Sequence, residues 1–271
     1  MSRRRPEPEL RLAAAVSLVL AAFVLAPIAI VVLGSVLPST ALGLASEAEP
    51  GWGSQLGAFR YLIQHYGLWL AMSGRIALLA VLIGLAIAAP AGYAFVRHPF
   101  PGSRILEELV LLPLSLPGIA LSVALLAAYP DLRGSALVLA GHLLYTLPFF
   151  VRSVTSALRT RDIAELEAAA RTLGASFGQR LRWIVLPTLQ PALVLGALIV
   201  FTVSWGEFNV SYLLNSGPTQ TFPAALYNTY ANESFQRSSA ATVIFLAGAA
   251  PALLAIQWLG GLGSGDAERS A

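Results

Sequence analysis

Six stretches of nearly continuous apolar residues divide the chain, at about 12–33, 70–96, 105–128, 135–151, 189–214 and 240–260. A helix needs roughly 20 apolar residues to cross a bilayer. Each stretch is near or above that length, although the fourth is short and the second and fifth run long. The pattern predicts an all-α integral membrane protein of about six transmembrane helices. Pro27, Pro90, Pro113, Pro117 and Pro148 lie in or near these spans. Membrane helices tolerate proline where neighbouring helices satisfy the freed backbone groups. The prolines therefore point to a packed bundle, with Pro113 and Pro117 kinking the third span.

Two connections are long. One, about 34–68, is rich in Gly, Pro, Ser and Trp and is expected to carry a short interfacial segment around Phe59–Tyr66. The other, about 152–187, is the only extended charged region, and its pattern changes to short helices. Asp162-Ile-Ala-Glu165 has the form of a capping box. From there Ile163, Leu166, Ala169, Ala170 and Leu173 recur at helical spacing, so one face is apolar. Gly174 supplies a stop. Ser176-Phe-Gly-Gln179 is a second capping box, after which Phe177, Leu181 and Ile184 line one side and Pro187 is expected to close the helix. From the residues alone, two readings stand: a hairpin lying on the membrane surface, or a knob presented to a partner. No internal repeat is visible, and one membrane domain is expected over 1–271.

Composition sharpens this picture. Of 271 residues, 56% are hydrophobic and 11% charged, against about a quarter charged in soluble domains. Cys is absent, which excludes disulfides and thiolate metal sites. All 17 basic residues are Arg. A Walker A loop needs a Lys to reach the phosphates, so any ATP chemistry belongs to another subunit, and no cofactor is expected in this chain. A net charge of +3 hints at nucleic acid, but the positions of the arginines explain it better. With the N-terminus inside, thirteen arginines face the cytoplasm (3, 4, 5, 11, 97, 104, 152, 159, 161, 171, 180, 182 and 269), and four (60, 75, 133 and 237) face out. The positive-inside rule then puts both termini and the 152–187 loop in the cytoplasm. Arg3–Arg5 before the first span, with small residues at Gly43 and Ala45, imitate a signal peptide. A signal's apolar region is about 7–15 residues, and this one is longer, so a retained span is expected.

The charged loop also resembles a known family. Ala170-Arg171-Thr172-Leu173-Gly174-Ala175-Ser176, nine residues from Gly174 to Ile184, and Ile184-Val-Leu186-Pro187 are similar to the EAA loop of bacterial ABC importer permeases. That loop reads E-A-A, three residues, G, nine residues, I-x-L-P. The Glu position is held here by Ala168, and Glu167 sits one residue early. Pro90-Ala-Gly-Tyr93-Ala-Phe-Val-Arg97, Leu112-Pro113-Leu-Ser-Leu-Pro117-Gly118, Leu147-Pro148-Phe-Phe-Val-Arg152 and Ser204-Trp-Gly206-Glu207-Phe208 resemble the branch that carries polyamines, phosphonates, thiamine, ferric iron, and molybdate or sulfate. Phe222-Pro223-Ala-Ala-Leu-Tyr227 leans towards the polyamine and phosphonate group. Carbohydrate permeases usually carry Asp-Gly where this chain has Leu173-Gly174, which argues against sugars.

The resemblance implies a type I importer in the bacterial plasma (inner) membrane. Two permeases, the second a related but different chain, form the pathway; two ATP-binding subunits sit below, and an extracytoplasmic binding protein delivers cargo. It assigns ATPase coupling to Glu167, Ala169, Ala170, Leu173, Gly174, Ala175, Ile184, Leu186 and Pro187. No catalytic or metal-binding residue is expected.

Glu207 is the one acid well inside a span, and an intramembrane carboxyl is by default a functional candidate. The recurrence of Ser-x-Gly-Glu-Phe among permeases for cations and anions favours a carboxyl that orders the bundle over one that contacts substrate. With Asn209, Ser211 and Tyr212 it forms the candidate translocation pathway. His142 in the fourth span is expected to bridge helices. An ion-coupled secondary transporter is the competing function, but such a protein usually shows a repeat and several midplane ionisable groups. An intramembrane protease would need a nucleophile and base that the chain lacks.

Overall fold

Among the described residues, every regular element of the computed structural model is helical. The structure describes the backbone of residues 8–37, 56–132, 134–159, 161–215 and 220–269, and their side chains outside 8–11, 161–162 and 260–269. In chain order the helices are α1 (Pro8–Val36), α2 (Gly57–Arg97), α3 (Ser103–Leu111) with a 3-10 turn at Leu112–Ser115, and α4 (Gly118–Ala128). Then come α5 (Ser135–Leu158), α6 (Arg161–Thr172), α7 (Phe177–Arg180), a π-helical turn at Leu181–Val185, and α8 (Leu186–Gly206). Last are α9 (Asn209–Leu214), α10 (Phe222–Asn232) and α11 (Phe235–Arg269). Among the described residues five helices are long and apolar enough to cross a membrane, or six if the bent pair α3–α4 forms one span. The cleavage-like Gly43 and Ala45 and the Asp162 cap fall outside the described residues.

The structure corrects four predicted boundaries. The expected interfacial segment Phe59–Tyr66 is the start of α2, whose 41 residues reach about 60 Å, twice the roughly 30 Å hydrocarbon thickness. The third span bends by 110°, far more than a kink. Leu116 and Pro117 are both extended, at ψ 136° and 135°. The residue before a proline is driven out of the helical region, so Pro117 turns Leu116 as well as itself. Pro187 does not end the hairpin's second helix. Its missing N–H is absorbed by a loosened register, in which Leu186 N–H donates to the Leu181 carbonyl, and the chain runs helically from Phe177 to Gly206. A π-turn here leaves room for the ring that a strict α-register would crowd. Finally, the fifth span stops at Gly206, because Glu207 is extended at ψ 107°, and α9 resumes separately.

Packing groups the chain into two units. The larger holds residues 66–225 and 247–271 and is organised around α5, which is buried along its length. At one end Leu137 and Val138 pack with Ile76, Leu121, Leu125, Val210 and Leu214. In the middle Phe150 and Val151 meet Ala80, Ala88 and Val200. At the other end Val154 and Leu158 meet Ile163, Val185 and Leu189. Phe150 is fully buried between two glycines: a Cβ on Gly84 would lie 3.1 Å from its ring and one on Gly196 2.9 Å. The missing side chains let α2 and α8 close on the aromatic ring.

The smaller unit holds residues 1–65 and 226–246. Here Gly34 of α1 meets Phe235 and Ser239. Tyr61 donates to Glu233 at 3.0 Å, Arg237 pairs with the same carboxylate at 2.7 Å, and its guanidinium lies 4.0 Å from the Tyr61 ring centre. Before Gly34, none of the described side chains of α1 (residues 12–33) is buried against the other described residues. Its exposed Leu, Val, Ile and Phe side chains form an apolar surface that hydrocarbon, not water, suits.

Candidate functional site

In the 152–187 loop the predicted stop at Gly174 and the predicted Ser176–Gln179 cap both form. Gly174 takes φ +82°, a left-handed conformation that glycine adopts freely. It lets Gly174 N–H reach the Arg171 carbonyl and Ala175 N–H the Ala170 carbonyl, both at 3.0 Å, which is the Schellman closure of α6. Two residues later, Ser176 and Gln179 cap the next helix reciprocally, with Gln179 Oε1 accepting from Ser176 N–H at 2.7 Å. The result is a tight α6–α7 hairpin.

The apolar face of α6 is not one stripe. Ile163, Glu167 and Ala170 turn into the protein, while Leu166, Ala169 and Leu173 turn out. Ile163 is 2% exposed in the core with Val154, Leu158, Val185 and Leu189, whereas Leu166 is 52% and Leu173 87% exposed. Helical periodicity finds both edges but cannot tell which one a neighbour covers.

Glu167 goes inward because α2 offers it partners. Tyr93 Oη donates to its Oε1 at 2.8 Å, and Arg97 Nε lies 2.7 Å from its Oε2. The arginine contact is off the N–H axis, since neither atom completes an aligned hydrogen bond; it holds by charge. Tyr93 also meets the Phe177 ring edge-on at 6.0 Å, so the end of α2 touches both arms of the hairpin. Arg180, on the second arm, donates to the Ala175 carbonyl at 2.9 Å. Sequence reasoning placed Tyr93 and Arg97 in a motif without giving them a role. Their spacing of four on one face at the end of a span, with an arginine last, was the signal.

Ile184 is half-buried, and Leu186 and Pro187 are exposed. The last two line an open groove of about 470 Å³ with Arg182, Gln190 and Leu193. They are therefore separate from the outward edge of α6, and Ala175 and Gly174 sit at the turn between the two.

The pathway candidates do not form one lining. Glu207 is 8% exposed, and its Oε1 accepts the Val210 N–H at 3.0 Å, capping the start of α9. It also sits over the α3–α4 break, 3.5 Å from where a Gly118 Cβ would be. The two helix breaks thus meet, with Asn209 pressed on Gly118. Ser211 is 1% exposed and faces His142 Nε2 at 2.9 Å, while His142 Nδ1 faces Ser204 at 2.8 Å. Each ring nitrogen meets a hydroxyl that both donates and accepts, so either tautomer is satisfied. This ties α5, α8 and α9 together, as expected of His142, and buries Ser211 within the bundle. Tyr212, 45% exposed and stacked on Phe208 at 5.1 Å, remains accessible. Among the described residues no three His, Asp or Glu side chains gather in a way that could hold a metal.

Residues 80–261 match the family model described as the binding-protein-dependent transport system inner membrane component. The chain is 30% identical over 211 residues to the molybdenum transport system permease protein ModB of Escherichia coli (strain K12), covering 69% of this chain and 90% of that one. It is 31% identical over 180 residues to the spermidine/putrescine transport system permease protein PotC of the same strain, covering 65% and 66%. Its fold superposes with TM-score 0.69, at 16% identity and over 95% of this chain and 98% of the other, on a chain of a bacterial ABC transporter involved in the import of alginate. The matched segment takes in the hairpin, the buried Glu207 and the bundle between them, and the chain belongs to the inner-membrane permeases of binding-protein-dependent ABC importers.

Proposed function

We propose that this chain is the permease of an ATP-driven importer of a small charged solute, a polyamine, phosphonate or similar compound, and that a separate ATPase grips it by the outward edge of α6. The observation that carries this is the pair Leu166, within α6, and Leu173, at its end, 52% and 87% exposed on a helix of about three turns. The arginine distribution supports a cytosolic position for that helix and for both termini. An exposed leucine there gains about 1.5–3 kcal/mol when a partner covers it. Ala169 between them lets the partner backbone come close. The assembly comprises two ATPase subunits, a second, related permease and an extracytoplasmic binding protein, in the bacterial inner membrane.

The test is co-purification of the ATPase with Leu173→Asp and Ala169→Trp, alongside uptake of labelled spermidine, phosphonate and molybdate. Both variants are expected at normal membrane levels, without ATPase and without uptake. Full ATPase retention in both would show that this edge is only a surface.

A further inference from the structure

The inward edge of α6 has a job distinct from the outward one. Glu167 is 6% exposed, and both of its oxygens are taken, one by the Tyr93 hydroxyl and one by Arg97 Nε. The carboxylate is turned towards α2 and away from the outward edge of α6. The contact is also cation-rich. Arg97 Nη2 and Arg180 Nε are buried without hydrogen-bond partners, and both cations act on Tyr93, whose hydroxyl holds the carboxylate. Neutralising it strands buried positive charge, whereas a buried pair in place adds little net stability over an apolar substitute. Such a contact is a poor way to stabilise a fold and a good way to fix one geometry.

That geometry joins three elements. Glu167 pins α6 to the last turn of α2, Tyr93 reaches across to Phe177 on the second arm of the hairpin, and Ile163 anchors the same edge among the ends of α5 and α8. We propose that Tyr93, Arg97 and Glu167 form a clamp that makes the hairpin and the adjoining end of α2 move as one body, so that a push delivered at the outward edge of α6 reaches the bundle through α2. Arg97 and Tyr93 are thereby positioning residues for coupling. The proposal rests on the ATPase docking at α6, as proposed above.

The experiment uses the whole complex, the chain co-expressed with its ATPase, second permease and binding protein. The chain has no Cys, so spin labels go onto Ala164→Cys in α6 and Leu82→Cys in α2, both exposed. Their separation is measured by pulsed electron resonance without nucleotide and with ATP trapped by vanadate. The otherwise unchanged chain gives the same separation in both states. Glu167→Gln and Arg97→Gln keep the ATPase, but their separation broadens and shifts when nucleotide is trapped. The exchange of charges, Arg97→Glu with Glu167→Arg, restores a single, nucleotide-independent separation, which a damaged fold would not do.

The proposal is overturned if the unchanged chain already shows a nucleotide-dependent shift, if the Gln variants show none, or if the charge exchange fails to restore it. It is also overturned if the Gln variants lose the ATPase, because the clamp would then serve only to build the docking edge. Full ATPase retention in both Leu173→Asp and Ala169→Trp, by contrast, refutes docking at α6 and leaves the separations to judge the clamp.

Discussion

Gly174 offers a way to separate backbone strain from crowding. Its φ is +82°, and a Cβ placed there meets nothing within 4 Å. Any cost of a side chain is therefore conformational. A left-handed backbone costs an ordinary L-residue about 1–2 kcal/mol, Asn less because it visits that region several-fold more readily, and a β-branched residue more. With Val at about 2 kcal/mol, opening of the turn becomes roughly thirtyfold more favourable, at about 1.4 kcal/mol per tenfold. The two 3.0 Å bonds that close α6, from Gly174 and Ala175 N–H, report this directly. In hydrogen exchange on the purified complex, the peptide over residues 170–180 should exchange about thirtyfold faster in Gly174→Val, less so in Gly174→Ala and least in Gly174→Asn. ATPase binding should fall in the same order. If Asn, the most polar and far from the smallest of the three, were as damaging as Val, strain would not be the cause.

Two other outcomes are expected. His142→Phe leaves the Ser204 and Ser211 hydroxyls buried without their partner, at about 1–3 kcal/mol each, so the midpoint of thermal unfolding in detergent should fall by several degrees, and a wild-type midpoint would show that water or each other satisfies the two serines. For topology, an impermeant thiol reagent applied to intact cells should label Ser46→Cys and spare Ser2→Cys; the reverse pattern would invert the orientation drawn from the arginines.

Much of this molecule was legible in its sequence, and the reasons are local. The spans follow from apolar length. The hairpin follows from Gly174 and Ser176, whose chemistry acts within a few residues. What was not legible was non-local. Glu167 reads as a candidate for an outside partner until its hydroxyl donor, 74 residues away in sequence, is seen beside it. The edge of α6 that carries Ile163 cannot be told from the edge that carries Leu173 by periodicity, because both are apolar. Pro117 announced a break but not its 110° angle. Gly206-Glu207 announced none, and that break is defined by Glu207 capping a helix that the apolar run had absorbed.

The meeting of those two breaks has a consequence for how the protein is made. At 11 and 6 residues, α4 and α9 reach about 17 and 9 Å, well short of the roughly 30 Å of hydrocarbon. Neither can sit in a bilayer as an independent segment, and a broken backbone at membrane depth is tolerated only inside protein. During synthesis the bend at Leu116–Pro117 enters the membrane first and stays open at Gly118 until Glu207 and Asn209 arrive to close it. A chain stalled before Glu207 therefore lacks the side chains that pack on the bend at Gly118, so unfinished and finished copies differ in how this break is covered.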